Sequence, residues 1–110
     1  FSDPGWKKFA AAEHRAVRER VALIDQSSFA KFEIIGPGVV AALQNLCVSD
    51  MDKPVGAIIY TQMCNESGGT EADVTFIRMG SDHYYLVTGS GFGVHDSDWI
   101  KKNMPGKKKK

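Results

Sequence analysis

The sequence has few cysteines and no long apolar run, and each shortage excludes a class of protein. Its two cysteines, Cys47 and Cys64, form no CxxC pair and have no histidine at zinc-ligand spacing. We therefore expect small, reduced, apolar side chains at both positions, in a reducing compartment. The longest apolar run lies near residues 55–60 and is far shorter than the ~18 residues that span a bilayer, so neither a membrane span nor a signal peptide is predicted.

Basic residues are scarce outside the C-terminus. The formal net charge is +1, but four of the 14 basic residues are the lysines 107–110, so 10 basic residues face 13 acidic ones elsewhere. A nucleic-acid reader needs a basic stripe on its folded part, and no such partner is predicted. We assign residues 1–105 to one domain and residues 106–110 to a disordered tail or an added tag. Because the first residue is Phe1, we expect a processed chain or a piece of a longer one.

The order of apolar patterns predicts an α+β fold. Helical periodicity favours helices over residues 6–21 and 39–48, on either side of a strand at residues 31–36. Three further strands, at residues 57–64, 70–79 and 83–89, are joined by turns too short for a parallel crossover. A last helix begins near Val94 and ends before Pro105. We therefore expect a mainly antiparallel sheet, formed by one strand and a three-stranded meander, flanked by helices.

A glycine cluster, YYLVTGSGFGV at residues 84–94, suggests a dinucleotide-binding turn, but the fingerprint is incomplete. Val94 stands where the third glycine is needed, and the preceding strand belongs to a meander instead of a βαβ unit. The preferred interpretation is that the glycines turn the chain from an edge strand into a helix, with φ values closed to larger residues.

Acidic residues follow the glycines at the predicted helix start. His95 and Asp98 share a helix face, which raises the alternative of a metal site, but no third ligand is in view. Asp96, Ser97 and Asp98 are better explained as residues that favour a helix N-terminus. No metal is predicted.

Three long segments make the sequence recognisable as a whole: EHRAVRERVALIDQSSFAKFEIIGPG, DKPVGAIIYTQMCNESGGTEADVTF and YYLVTGSGFGVHDSDWI. They strongly resemble the start of the folate-binding, aminomethyltransferase-like region of sarcosine and dimethylglycine dehydrogenases. That region is similar to the T-protein of the glycine cleavage system. In this family an upstream FAD domain oxidises an N-methyl amine to an iminium, and tetrahydrofolate captures the one-carbon unit.

The resemblance covers nearly all of residues 1–105 and implies a partial folate-binding domain. The FAD domain and the later folate-binding segments are absent, so we expect the parent chain to be an oxidoreductase of the mitochondrial matrix or bacterial cytoplasm and the isolated chain to be inactive. The same motifs also resemble the regulatory subunit of pyruvate dehydrogenase phosphatase, which makes a non-catalytic structural or regulatory subunit the alternative. In either case we expect the rest of the parent chain, a protein partner or an oligomer contact to cover exposed sheet.

The most informative family motif falls on the hairpin NESGGTEADVTF. Gly68 and Gly69 permit its turn. The T-protein pattern has two adjacent acids where this sequence has Ala72 and Asp73, so the resemblance implies a catalytic and folate-binding role for Asp73 alone. A carboxylate there accepts a proton and stabilises developing positive charge. Strand alternation leaves open the face on which Asp73 lies.

Four neighbours complete the predicted folate site. The resemblance implies that Val74 and Thr75, as backbone neighbours of Asp73, line the same pocket. Tyr60 and Met63, on the preceding strand, are predicted to offer an aromatic and a soft apolar wall to the pterin ring, with core packing as the alternative for both. Phe29 and Phe32 of SSFAKF are predicted to be core residues and Lys31 a surface residue.

Overall fold

The computed structural model describes residues 4–105; residues 1–3 and the predicted tail at 106–110 lie outside the described part. Within it the elements follow in the order α1 (Lys7–Glu19), β1 (Ala30–Ile35), α2 (Val39–Leu46), β2 (Ile58–Cys64), β3 (Thr70–Gly80), β4 (His83–Thr88), a short 3-10 turn (Ser90–Phe92) and α3 (Gly93–Asn103). Every predicted helix and strand is present, and the ends differ from the predicted ones by a few residues. The α+β fold is confirmed.

The four strands form one antiparallel sheet in the order β1-β4-β3-β2. The meander of β2, β3 and β4 is as predicted. β1 returns to pair with the free side of β4, with Phe32 opposite Leu86. β4 is therefore an inner strand, and the prediction that the glycine cluster follows an edge strand is wrong. The reason is a long-range pairing, which local patterns do not encode.

Strand alternation gives the sheet one buried face and one exposed face. On the buried face, the rings of Phe76 and Tyr84 pack edge-to-face with centroids 6.3 Å apart. Helices α2 and α3 cover this face and contribute Val39, Leu43 and Ile100 to the same core. The opposite face, here called the outer face, carries polar and large apolar side chains that no described element covers.

Helix α1 forms as its periodicity predicts, but none of its residues is buried. Trp6 and Phe9 are each 63% exposed, and Leu23 in the following segment is fully exposed. Phe29, predicted to be a core residue, is exposed as well, because it precedes β1 and has no helix above it. Phe32 packs against the core and Lys31 lies on the surface, as predicted.

The glycine cluster does not use special φ values. Gly89 and Gly93 have φ of −58° and −55°, which any residue adopts, so the predicted reason for these glycines is wrong. Gly93 is explained by close approach instead, since a Cβ built there would lie 2.9 Å from the Ala30 Cβ. α3 starts against β1, and only a residue without a side chain fits between them.

The start of α3 also differs from its predicted cap. Phe92 is the N-cap residue, and no side chain caps the helix. Asp96, predicted to be a capping residue, lies within the first turn and is buried to 1% exposure. Its carboxylate has side-chain partners instead, which belong to the candidate site.

Candidate functional site

The hairpin between β2 and β3 fixes the register that positions Asp73. Gly68 has φ of +81°, a left-handed conformation that favours glycine, and the Asn65 side chain closes the turn. The Asn65 Oδ1 accepts hydrogen bonds from the backbone N–H of Ser67 at 3.1 Å and of Gly69 at 2.9 Å. Beyond the turn, Asp73 lies directly opposite Gln62.

Asp73 lies on the outer face of the sheet, which answers the question that alternation left open. Its Oδ1 accepts a 3.1 Å hydrogen bond from Gln62 Nε2. Tyr60, two residues before Gln62, is 64% exposed on the same face and is paired with Thr75. The structure thus brings Tyr60, Asp73 and Thr75 together as a solvent-accessible group of a phenol, a carboxylate and a hydroxyl.

The phenol of Tyr60 interacts with the Asp73 carboxylate. Hydrogen bonding to Asp73, followed by partial desolvation and the negative charge of Asp73, raises the pKa of Tyr60 above its usual range. The pair therefore consists of a neutral donor beside an acceptor at neutral pH. Such a pair can hold a ligand that offers both an N–H and a carbonyl oxygen.

Two of the predicted site residues lie on the other face. Met63 is fully buried and Val74 is 2% exposed, and both belong to the hydrophobic core. Met63 is three positions from Tyr60, and Val74 is one position from Asp73. Since neighbouring side chains on a strand point to opposite faces, an odd separation places them apart. The Met63 side chain therefore does not join Asp73, and core packing, its stated alternative, is what the structure shows. Val74 remains a backbone neighbour of Asp73, with its own side chain in the core.

A cleft of about 350 Å³ opens beside Asp73, where β3 begins and β4 passes into α3. Its walls include Thr70, Glu71, Asp73, Thr88, Phe92 and Asp96. Three carboxylates thus border one cleft. An aromatic ring, Phe92, stands at its exposed side.

Five side chains around this cleft form a polar chain that the sequence did not predict. His95 Nδ1 lies 2.9 Å from Asp96 Oδ1, and His95 Nε2 lies 3.5 Å from Glu71 Oε2. The other Asp96 oxygen accepts a 2.6 Å hydrogen bond from the buried Thr88 hydroxyl. Glu71 Oε1 accepts a 2.9 Å bond from Asn65 Nδ2. The sequence assigns no role to Glu71, and the strand face that it shares with Asp73 is the only signal for one.

This arrangement raises the pKa of His95. The hydrogen bond with Asp96 is the main cause that raises the pKa of His95, the charge of Glu71 adds to it, and desolvation opposes it. The imidazole is half exposed, so solvent reaches it from one side. It partners Asp96 and Glu71 instead of Asp98. Within residues 4–105 no three histidine, cysteine or acidic side chains are grouped so as to hold a metal ion.

The two cysteines are free thiols. Cys47 is buried, and burial raises its pKa to about 12. It packs in the core as the small apolar residue that the sequence predicted. None of the helices within residues 4–105 has the length and apolar character needed to cross a lipid bilayer.

Comparison with known proteins gives the family. The family described as "GCVT N-terminal domain" matches residues 1–109. The chain therefore belongs to the GCVT N-terminal domain family, which confirms the predicted T-protein-like relationship.

Curated relatives within this family have different activities. The chain is 36% identical over 107 residues to the mitochondrial pyruvate dehydrogenase phosphatase regulatory subunit of Mus musculus, a match that covers 96% of this chain and 12% of that protein. It is also 36% identical over 107 residues to 4-methylaminobutanoate oxidase (formaldehyde-forming) of Paenarthrobacter nicotinovorans, a match that covers 97% of this chain and 13% of that protein. The chain thus spans only a small part of the length of these relatives.

Solved structures confirm the fold. The glycine cleavage system aminomethyltransferase T of Bartonella henselae superposes with a TM-score of 0.69 and 23% identity, over 74% of this chain and 23% of that chain. The heterotetrameric sarcosine oxidase of Corynebacterium sp. U-96 superposes with a TM-score of 0.65 and 18% identity, over 86% and 48%. At these identities the likeness concerns the fold alone.

Proposed function

We propose that this chain supplies one wall of a tetrahydrofolate-binding site in a larger enzyme that removes N-methyl groups from amines, of the sarcosine or dimethylglycine dehydrogenase type. The observation that carries the proposal is the placement of Asp73 on the outer face beside Tyr60 and Thr75. The relationship to an amine oxidase and the aminomethyltransferase fold support it. A mitochondrial matrix or bacterial cytoplasmic location is part of the same proposal.

The chemistry of the accessible group fits a pterin. A pterin ring is planar and presents N–H donors and a carbonyl oxygen. The Asp73 carboxylate can accept from the N–H donors, and the Tyr60 and Thr75 hydroxyls can donate to the carbonyl oxygen. The exposed Tyr60 ring also offers a flat apolar surface. Tetrahydrofolate, when bound, supplies the amine nitrogen that accepts a one-carbon unit. FAD belongs to the upstream domain that the resemblance implies.

Asp73 is the residue that moves a proton in this proposal. Its carboxylate accepts a proton released by an amine and stabilises positive charge that develops nearby. Gln62 holds Asp73 Oδ1 at 3.1 Å, and the exposed carboxylate beside Tyr60 can accept a further hydrogen bond from the ligand. Tyr60 and Thr75 orient the ligand beside it. The outer face is open in the described residues, so the remaining walls and the exclusion of water come from other parts of the parent protein.

The proposal is tested by binding measurements on this chain. Because only one wall is present, we expect weak binding of tetrahydrofolate at most, which is best detected by NMR as shifts of backbone amides under reducing conditions. The shifts should centre on residues 60, 73 and 75. Asp73→Asn should weaken the apparent affinity derived from these shifts by about tenfold, the loss typical of one charged hydrogen bond.

A matched control comes from β1. Glu33 is another exposed carboxylate of the outer face, paired with Tyr85 away from the hairpin. Glu33→Gln should leave tetrahydrofolate binding unchanged. Equal affinities of Asp73→Asn and the unaltered chain, or shifts confined to other surfaces, would contradict the proposal.

A second candidate function is a non-catalytic structural or regulatory subunit. The relationship to the phosphatase regulatory subunit favours it, as do large exposed apolar side chains on the outer face. Ile35, Ile58 and Tyr60 are each more than 60% exposed there. Apolar surface of this kind is usually covered by another part of a protein or by a partner.

Light scattering separates the two candidates. A structural subunit should self-associate or form a stable complex through the outer face, and Ile58→Lys should abolish that association. A clean monomer with one cooperative melting transition would speak against the structural role. Asp73→Asn should not alter association, because a solvated carboxylate contributes little to apolar contact.

A further inference from the structure

The polar chain around the cleft extends the proposed function to a residue outside the folate motif. We propose that His95 is a positioning residue for the site: its ring joins Glu71 on β3 to Asp96 on α3 and so holds the strand that carries Asp73 against the β4–α3 corner. The effect of the His95 link on ligand binding rests on the function proposed for Asp73. The contacts of His95 with Glu71 and Asp96 do not depend on that function.

His95 occupies the middle of a continuous connection. On one side, Asp96 is anchored by the 2.6 Å hydrogen bond from Thr88, at the buried end of β4. On the other side, Glu71 is anchored by Asn65, which also closes the β2–β3 turn. Each anchor is therefore fixed independently of His95. The imidazole is the link between the hairpin and the helix.

Both ring nitrogens are needed for this link. Nδ1 faces Asp96 Oδ1 at 2.9 Å and Nε2 faces Glu71 Oε2 at 3.5 Å, so each nitrogen meets a carboxylate oxygen. Only the protonated ring donates from both nitrogens at once. The neutral ring keeps one of the two contacts and presents a lone pair to the other carboxylate. Protonation therefore controls whether the link is complete.

The charged groups around the His95 ring favour its protonated form. The titratable groups that face His95 are Glu71 from β3 and Asp96 from α3, and β4 contributes the neutral Thr88 hydroxyl. Asp73 borders the same cleft, and Asp98 lies further along α3. All the nearby charged groups named here are acids. The protonated His95 ring balances their charge, and the neutral ring leaves the carboxylates to repel one another.

The link reaches Asp73 through β3. Glu71 and Asp73 are two positions apart on one strand and share its outer face. When His95 holds Glu71 toward α3, the Glu71 carboxylate is kept away from Asp73 and its charge is balanced. We expect tetrahydrofolate to bind about two- to fivefold more tightly with His95 protonated than with it neutral, as for a single exposed charged contact.

The first experiment needs no ligand. An isotope-labelled sample of the full chain is titrated by NMR from about pH 5.5 to about pH 8.5, around the usual histidine range. The Asp73 and Glu71 amides should shift with the same midpoint as the His95 ring. In His95→Gln that shared midpoint should disappear, and in His14→Gln, altered on the exposed helix α1, it should remain. Amides that do not follow His95, or that still titrate in His95→Gln, overturn the proposal.

The second experiment measures tetrahydrofolate affinity at about pH 6 and about pH 8 in the same variants. The unaltered chain and His14→Gln should bind more tightly at the lower pH, and His95→Gln should bind weakly and equally at both. Equal pH dependence in His95→Gln overturns the positioning role. If the amides of Asp73 follow His95 but tetrahydrofolate binds at neither pH, the proposed function fails and the positioning contact stands.

Discussion

The Tyr84 hydroxyl donates a 2.7 Å hydrogen bond to the backbone carbonyl of Met51, across 33 residues of chain. Tyr84 and Met51 are both fully buried. The bond ties the loop between α2 and β2 to an inner strand of the sheet. It also gives the buried Tyr84 hydroxyl a partner inside the core, where an unpaired polar group is costly.

Tyr84→Phe should destabilise the chain. The substitution keeps the ring and its packing against Phe76 but removes one of the two donors to the Met51 carbonyl, which still accepts a 3.0 Å hydrogen bond from the Lys53 backbone N–H. We therefore expect a loss of about 0.5–1.5 kcal/mol in the free energy of unfolding. Urea denaturation measures it. Tyr85→Phe, altered on the outer face, should change the stability by less than about 0.5 kcal/mol. Similar losses for both variants would show that the buried hydrogen bond has no special weight.

The sequence predicted the secondary structure well because each element has its own local signal. Alternation in TEADVTF and HYYLVT marks strands, and short polar turns between them force antiparallel neighbours. It did not predict that β1 pairs with β4, nor that α1 buries nothing, because both depend on long-range contacts. Phe29 follows the same rule: its apolar character indicated a core position, and the absence of a covering element among the described residues left it exposed.

Gly93→Ala should be destabilising although the backbone conformation of Gly93 is ordinary. A new Cβ would lie 2.9 Å from the Ala30 Cβ, and α3 would have to move away from β1. Overpacking of this kind costs about 1–3 kcal/mol. Thermal or urea denaturation measures the loss. Gly91→Ala is the matched control, since a Cβ added there would meet no described atom within 4 Å, and it should be near neutral.

The two free thiols should react at different rates in the native state. Burial raises the pKa of Cys47 to about 12, so very little thiolate forms at neutral pH, and the side chain is shielded by the core. Cys64 is partly exposed at the end of β2. Iodoacetamide followed by mass spectrometry should show labelling of Cys64 first and of Cys47 only after urea is added. Fast native labelling of Cys47 would contradict its packing in the core.

The candidate site was predicted in part, and strand geometry explains which part. The family motif led to Asp73, but a sequence with no known inner face cannot say which neighbours share its side of the sheet. Tyr60 and Thr75 do, and Met63 and Val74 do not. The polar chain through His95 was out of reach for another reason. Its members come from the β2–β3 turn, β3, β4 and α3, and only the folded chain brings them together.

The stability of the chain should fall with pH across the histidine range. The hydrogen bond with Asp96, aided by Glu71, raises the pKa of folded His95 above its unfolded value of about 6.5. A raised pKa means that the stabilisation is fully present below the unfolded pKa and is lost as pH rises through the folded pKa. The urea midpoint should therefore drop between about pH 6 and about pH 8.

The variants His95→Gln and His14→Gln test whether the fall in the urea midpoint is due to deprotonation of His95. In His95→Gln the pH-dependent part should shrink, because residue 95 no longer binds a proton in either state. His14→Gln should keep the dependence of the unaltered chain, since His14 lies on α1, where no residue is buried. If His95→Gln retained the full drop, the proton responsible would have to sit on another group, and the link from Glu71 to Asp96 would contribute nothing to folding.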